Sequence, residues 1–126
     1  MTLDELKVLH KDALDRIKYL ENFLKIGQKR KDKADIEAKM AAPDFWDSRE
    51  KAQSTVSQLS QCKNIIEPFD AVLKKVHDFV ALAELAEESN DADMLKEAES
   101  TWQPLAGALD KLELVSFLSG KFDRNN

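Results

Sequence analysis

The side chains best suited to acid–base or nucleophilic chemistry in this sequence are His10, His77 and Cys62. A nucleophile motif needs a Ser or Cys at a defined spacing from a base, and a helical metal site needs paired cysteines or two histidines one turn apart. Neither spacing occurs. His10 falls on an apolar helical stripe, so we interpret it as a structural residue rather than a pH switch. We therefore predict a protein that is not an enzyme and that has no metal site or cofactor.

The composition narrows the class of protein further. The 126 residues are 43% apolar and 34% charged, with three glycines and three prolines. These are too few turn residues for a many-stranded β-sandwich or barrel, and glycines this far apart make no phosphate-binding loop. The net charge of −5 disfavours free nucleic acid as a partner.

Cysteine content and hydropathy bear on the compartment. A single cysteine cannot form an internal disulfide, which favours a reducing environment. No stretch approaches the 18 or so apolar residues of a membrane span, and the acidic amino-terminal segment is unlike a signal or transit peptide. We expect a cytoplasmic protein with no membrane contact.

Apolar residues at helical spacing indicate three long helical segments. The first begins at a capping box formed by Thr2 and Glu5 and runs to about Ala42, weakened at Gly27. Its stripe comprises Leu6, His10, Ala13, Ile17, Leu20 and Leu24, widened by Leu3, Leu9 and Phe23.

The second segment begins at Asp47, which is paired with Glu50, and ends before Asn90. The sequence predicts an interruption at Cys62 and Lys63 and a kink at Pro68. Its stripe comprises Ala52, Val56, Leu59, Ile66, Phe69, Leu73, Val76, Val80 and Ala83.

The third segment begins at the N-cap Asp91 and ends at Ser119 and Gly120, with a second candidate kink at Pro104. Its stripe comprises Leu95, Ala98, Trp102, Leu105, Leu109 and Leu112. We predict an all-α fold: an elongated bundle of about three long, partly kinked antiparallel helices with coiled-coil-like packing.

Two clusters of charge lie at separate points along the chain. Five basic residues with Asp32 give a local charge of +4: Lys25, Lys29, Arg30, Lys31 and Lys33. Acidic residues around the second turn, with Lys96, give a local −6: Glu84, Glu87, Glu88, Asp91, Asp93, Glu97 and Glu99. The basic cluster is either a solvated helix face or a contact surface for phosphate or acidic protein. The acidic cluster is interpreted as a solvated hairpin tip.

Two adjacent aromatic residues, Phe45 and Trp46, lie at the junction of the first two segments. Large aromatics at such a junction usually fill the corner of their own bundle. The alternative is a hot spot for binding a partner protein.

Four short motifs occur in order: Ala42-Pro43-Asp44-Phe45-Trp46-Asp47, Ala52-Gln53, Ile66-Glu67-Pro68-Phe69, and Leu118-Ser119-Gly120-Lys121-Phe122-Asp123-Arg124-Asn125-Asn126. On these motifs the whole chain resembles the amino-terminal domain of the bacterial release factor 2 family of class I peptide chain release factors. The Ser-Pro-Phe and Gly-Gly-Gln tripeptides that read the stop codon and position water in that family are absent from this sequence. The resemblance therefore transfers no decoding or catalytic residue.

The resemblance implies a helical domain over residues 1–120 and the start of a linker to a central domain over 121–126. It implies a non-catalytic part of a factor for translation termination at UGA and UAA, cytoplasmic and monomeric. The partner would be the ribosome at its stalk base, contacted through the basic cluster. The chain is then either a piece cut at a domain boundary, which its end at Asn125 and Asn126 favours, or the product of a gene that lost its other domains. The alternative is a stand-alone coiled-coil module that binds a partner helix or itself.

Overall fold

The computed structural model describes residues 1–123, with side chains up to residue 118. It contains α1 (Leu3–Phe23), α2 (Ile26–Met40), a short 3-10 helix (Phe45–Asp47), α3 (Arg49–Ser89) and α4 (Ala92–Asp123). No β-strand occurs in residues 1–123. The predicted all-α fold is confirmed, and the first of the three predicted segments is divided into two helices.

Helix α1 begins with the predicted capping box. The backbone N–H of Glu5 donates to Thr2 Oγ1 at 3.2 Å, and the Thr2 hydroxyl donates to Glu5 Oε1 at 3.2 Å. One of the orphan amides of the first turn is thereby satisfied.

The break in the first predicted segment lies at Lys25 rather than at Gly27. Lys25 adopts a left-handed conformation with φ 54° and ψ 48°, and its carbonyl accepts the N–H of Lys29 at 2.9 Å to begin α2. Gly27 lies within α2 at negative φ. The prediction placed the weakness at glycine because lysine rarely adopts positive φ.

Helix α3 begins two residues later than predicted and is not interrupted. Asp47 ends the 3-10 helix, and the carbonyl of Ser48 accepts the N–H of Ala52 at 3.0 Å. The helix continues through Cys62 and through Pro68, so the predicted interruption at Cys62 and Lys63 is wrong. Cys62 is buried on the helix face that also buries Ile66, and this packing favours the continuous helix.

A tight turn joins α3 to α4. Asn90 adopts φ 54°, and its N–H donates to the Ala86 carbonyl at 2.9 Å, which ends α3. Asp91 acts as the predicted N-cap, since its Oδ1 accepts the N–H of Asp93 at 2.8 Å.

The predicted helix stop at Ser119 and Gly120 is wrong. Helix α4 extends to Asp123, because a glycine ends a helix only where it takes up the left-handed conformation and is otherwise accommodated at modest cost. The rest of the predicted linker, residues 124–126, lies outside the described residues.

The chain divides into two compact units, called here the first unit (residues 1–20 and 70–123) and the second unit (residues 21–69). In the first unit, apolar faces of α1, α3 and α4 form the core. The rings of Phe79 and Trp102 pack at 5.2 Å between centroids. The buried apolar residues are Leu6, Ala13, Ile17, Leu20, Val72, Val76, Phe79, Ala83, Ala86, Ala98, Leu105, Leu109 and Leu112.

In the second unit, α2 and the first half of α3 share a smaller core. Ile36, Cys62 and Ile66 are buried together, and half-buried Met40 and Leu59 pack against them. Val56 was predicted on the buried stripe of α3 but is 41% exposed. The stripe of α3 is therefore interrupted near its amino-terminal end.

Candidate functional site

The predicted basic cluster lies at the start of α2 in the second unit. Lys29 and Lys33 lie one turn apart on α2 and share one face of the helix, and Lys25 immediately precedes it. Lys25, Arg30 and Lys31 are exposed, and Lys29 and Lys33 are half-buried. The four lysines make no ion pair with the side chains that the structure describes, those of residues 1–118. They are therefore available to an external anion.

The one acidic side chain inside this cluster is already engaged. Asp32 Oδ1 accepts a hydrogen bond from Gln28 Nε2 at 2.9 Å, one turn earlier on α2. This contact directs the carboxylate along the helix toward an amide rather than toward a lysine. The local charge of the cluster is thus carried outward by the basic residues.

The aromatic pair follows α2, on the 3-10 helix that contacts it. The rings of Phe45 and Trp46 are perpendicular, with centroids 4.7 Å apart. Phe45 is half-buried, but Trp46 is 60% exposed. The interpretation that both aromatics fill the corner of the bundle is therefore wrong for Trp46, whose indole faces solvent.

An open groove of about 550 Å³ lies beside Trp46. Its other lining residues are Arg49, Ala52, Gln53 and Val56, which all belong to the first two turns of α3. Their spacing of i, i+3, i+4 and i+7 places them on one face of that helix. This groove was not predicted from the sequence, because Val56 was assigned to the buried stripe of α3 but is exposed. Ala52, assigned to the same stripe, is buried and forms the base of the groove. The signal in the sequence is that the lining residues recur at helical spacing of three or four residues: Trp46, Arg49, Ala52, Gln53 and Val56.

The residues considered first for chemistry do not come together. His10 Nδ1 lies 3.1 Å from Glu87 Oε2 in the first unit, His77 is exposed, and Cys62 is buried in the core of the second unit. His10 thus has a structural partner between α1 and α3. Within residues 1–123, no three His, Cys, Asp or Glu side chains are grouped so as to hold a metal ion.

An ion-pair network between α1 and α4 was not predicted from the sequence. Arg16 donates from Nε to Glu113 Oε2 at 3.1 Å and from Nη2 to both Glu113 Oε1 at 2.5 Å and Asp110 Oδ1 at 2.7 Å. The hydrogen bonds to Glu113 raise the pKa of Arg16 above its ordinary value, against the lowering effect of partial burial. The network joins α1 to α4 within the first unit.

The acidic cluster surrounds the turn between α3 and α4, as predicted. All of its carboxylates are exposed except that of Glu87, which is half-buried beside His10. No helix in the described part of the chain is both long and apolar enough to cross a membrane.

The helical fold, the aromatic junction and the basic start of α2 define a class of protein. The model of the PCRF domain matches residues 29–126, and the chain belongs to this family. The resemblance drawn from the sequence motifs is thereby confirmed.

The most informative relatives are named peptide chain release factor 2. That of Salinispora tropica is 36% identical over 113 residues, which make up 90% of this chain and 30% of the relative. That of Streptomyces avermitilis is 36% identical over 104 residues, or 82% of this chain and 28% of the relative. That of Clostridium perfringens is 32% identical over 123 residues, or 98% of this chain and 33% of the relative. The chain thus spans about a third of the length of these relatives.

Proposed function

We propose that this chain serves as the amino-terminal helical domain of a release factor 2 and contributes to translation termination at UGA and UAA codons in the cytoplasm. The observation that carries the proposal is the match of the PCRF domain to residues 29–126, together with relatives named release factor 2 that cover most of the chain. The 126 residues contain neither Ser-Pro-Phe nor Gly-Gly-Gln, the tripeptides to which the resemblance assigns decoding and hydrolysis. The domain therefore acts in binding and not in catalysis.

A domain exchange tests this role. The chain replaces the matching segment of the Clostridium perfringens factor, and release of a model peptide from ribosomes is measured at UGA, UAA and UAG. We expect release at UGA and UAA, none at UAG, and none from the isolated chain at any codon. A folded chimera without release activity, or release by the isolated chain, would contradict the proposal.

The surface proposed to contact the ribosome is the basic cluster on α2, directed at the stalk base. Support comes from the exposure of Lys25, Arg30 and Lys31 and from the absence of ion pairs between the four lysines and the described side chains of residues 1–118. Phosphates and acidic side chains are the groups that such a surface attracts. The acidic first unit repels the same groups.

The triple substitution Lys29→Ala, Arg30→Ala and Lys31→Ala in the chimeric factor tests this contact. Ribosome binding is expected to weaken, and its salt dependence to flatten by up to about three phosphate contacts. The matched control is Lys7→Ala, Lys11→Ala and Lys18→Ala, which removes the same charge from exposed positions on α1. Equal loss in both variants, or an unchanged salt slope in the first, would leave the cluster as a solvated helix face.

The alternative function is a stand-alone coiled-coil module that self-associates. The observation favouring it is an apolar outer surface near the end of α4, where Leu114, Val115, Phe117 and Leu118 are all exposed while Ser116 is buried. A second copy of the chain could cover this surface. Sedimentation equilibrium over a wide concentration range distinguishes the two. A monomer at all concentrations excludes self-association, and a dimer abolished by Leu114→Glu supports it.

A further inference from the structure

The groove beside Trp46 has the properties of a preorganised anchor site. Phe45 packs its ring edge to face against the indole, which restricts the conformations of Trp46 before any partner arrives. A binding surface that is ordered in advance loses less conformational entropy on association. Trp46 nonetheless remains 60% exposed, so most of its apolar surface is available for burial.

The rest of the groove is apolar or neutral apart from one cation. Ala52 and Val56 provide its apolar floor, Gln53 a neutral polar group and Arg49 its only charge. Arg49 and Gln53 make no side-chain hydrogen bond or ion pair with residues 1–118, whose side chains the structure describes. Tryptophan and arginine are the residue types most enriched among binding hot spots, and here they lie on one groove.

The distribution of charge indicates which charge a partner should present to the groove. The second unit contains nine Lys and Arg against eight Asp and Glu, a net +1, whereas the rest of the chain contains ten against sixteen, a net −6. The second unit is thus close to neutral, whereas the net negative charge of the rest of the chain disfavours an acidic partner there. Because Arg49 is the only charged residue that lines the groove, one carboxylate suffices to pair it.

The shape selects the form of the partner. The lining residues of α3 lie along one helix face over two turns, and Trp46 forms the wall beside them. An amphipathic helix fits such a groove when its apolar side chains recur every three or four residues. We propose that this groove docks an acidic amphipathic helix of another protein, with an apolar side chain against Trp46 and Val56 and a carboxylate on Arg49.

This docking role is separate from the ribosome contact proposed for α2, and its test uses the isolated chain. The probe is a synthetic helical peptide of about 14 residues in an alanine and glutamine background, carrying two leucines one turn apart and one glutamate beside them. A control peptide carries lysine in place of the glutamate. The readout is the pair of indole N–H signals in a nitrogen–proton correlation spectrum, one from Trp46 and one from Trp102.

The glutamate peptide is expected to shift the Trp46 signal saturably and to leave the Trp102 signal in place, because Trp102 packs against Phe79 in the other unit. Arg49→Glu should weaken binding at least about tenfold. Trp46→Ala should abolish binding, scored by isothermal calorimetry because the reporter is lost. The matched control Lys51→Glu changes the same charge two residues away, outside this groove, and should bind as the wild type does.

Three results would overturn the proposal. One is the absence of a saturable Trp46 shift with the glutamate peptide. Another is equal binding of the lysine peptide, which would remove the role of Arg49. The last is a Trp46 signal that changes with the concentration of the chain alone, which would assign the groove to a second copy. Circular dichroism of each variant confirms that the helices are retained, as expected for changes at exposed positions.

Discussion

The first unit buries thirteen apolar side chains among its described residues, whereas the second unit buries six. The two candidate binding surfaces, in contrast, both lie in the unit with the smaller core: they are the basic cluster and the groove beside Trp46. The larger core of the first unit is built from regular stripes on three helices. The smaller core of the second unit leaves Val56 and Trp46 exposed. The larger core and the surfaces proposed to bind partners thus lie in different units of one short chain.

The unequal cores of the two units bear on whether the chain unfolds in one transition or in two. Helix α3 runs without a break through both units. Because the hydrogen bonds of a helix form and break cooperatively, unfolding in one unit destabilises the helix in the other. We therefore expect one unfolding transition for the whole chain despite the unequal cores. Substitutions placed in each unit test this expectation, because separate transitions would respond separately.

The largest effect is expected at Phe79 in the first unit. This ring is fully buried and packs against Trp102, so Phe79→Ala leaves a cavity and should lower the free energy of unfolding by about 3–5 kcal/mol. Urea denaturation followed by circular dichroism measures the change. Lys75→Ala, at an exposed position of the same helix, serves as the control and should be nearly neutral. A loss of stability below about 1 kcal/mol would mean that the core of the first unit is less tightly packed than the full burial of Phe79 indicates.

A smaller loss is expected in the core of the second unit. Ile66→Ala should lower the free energy of unfolding by about 2–3 kcal/mol, because the neighbouring Met40 and Leu59 are half-buried and can move into the space. Glu67→Ala is the exposed control. If Ile66→Ala shifts one part of a two-step curve while Phe79→Ala shifts the other, the expectation of a single transition is wrong.

The ion-pair network comes next in size. Arg16→Met should cost about 1–2 kcal/mol, because it removes hydrogen bonds to two carboxylates that remain partly hydrated, with Asp110 73% exposed. The pKa of Arg16 is raised on folding, so its contribution is fully present below the ordinary arginine pKa and is lost only as pH rises through the raised value. Ionisation of Arg16 should therefore give no pH dependence from about pH 6 to 9. Lys18→Met, at a neighbouring exposed position, is the control. An equal loss in both variants would show that the ion-pair network does not contribute to the stability of the chain.

The smallest effects are gains, one in each unit. A Cβ added at Gly27 or at Gly107 meets no atom within 4 Å, and both residues lie inside helices at negative φ. Gly27→Ala and Gly107→Ala should each stabilise the chain by about 0.5–1 kcal/mol by reducing the entropy of the unfolded state. Thermal unfolding of the two single variants and the double variant measures this. With a single transition the two gains should add, and a double variant no more stable than either single one would show that the units unfold separately.

Features with a local cause were predicted well from the sequence. The capping box at Thr2 and the N-cap at Asp91 were correct because each depends on a hydrogen bond within a few residues. The stripes of α1 and α4 were correct at their central positions, because a long helix must bury one continuous face, but Phe23 at the end of α1 is 39% exposed.

Features that depend on tertiary packing were missed. Nothing in the residue type of Lys25 indicates its left-handed conformation, which a lysine seldom adopts. Trp46 was expected inside because large aromatics are usually buried, and its exposure depends on where the 3-10 helix places it. The Arg16 network joins residues 97 apart in sequence, beyond the reach of helical spacing rules.

Because Cys62 is buried, the rate at which its thiol is labelled reports how often the second unit opens. Cys62 is the only thiol in the chain and is 8% exposed, so a thiol reagent reaches it only when that unit opens. The labelling rate divided by the rate for an unprotected cysteine gives the opening equilibrium wherever reclosing outpaces reaction. A peptide seated beside Trp46 should slow that labelling in proportion to its occupancy. The natural sequence therefore carries a reporter of motion in the unit that bears the binding surfaces, with no label to be engineered.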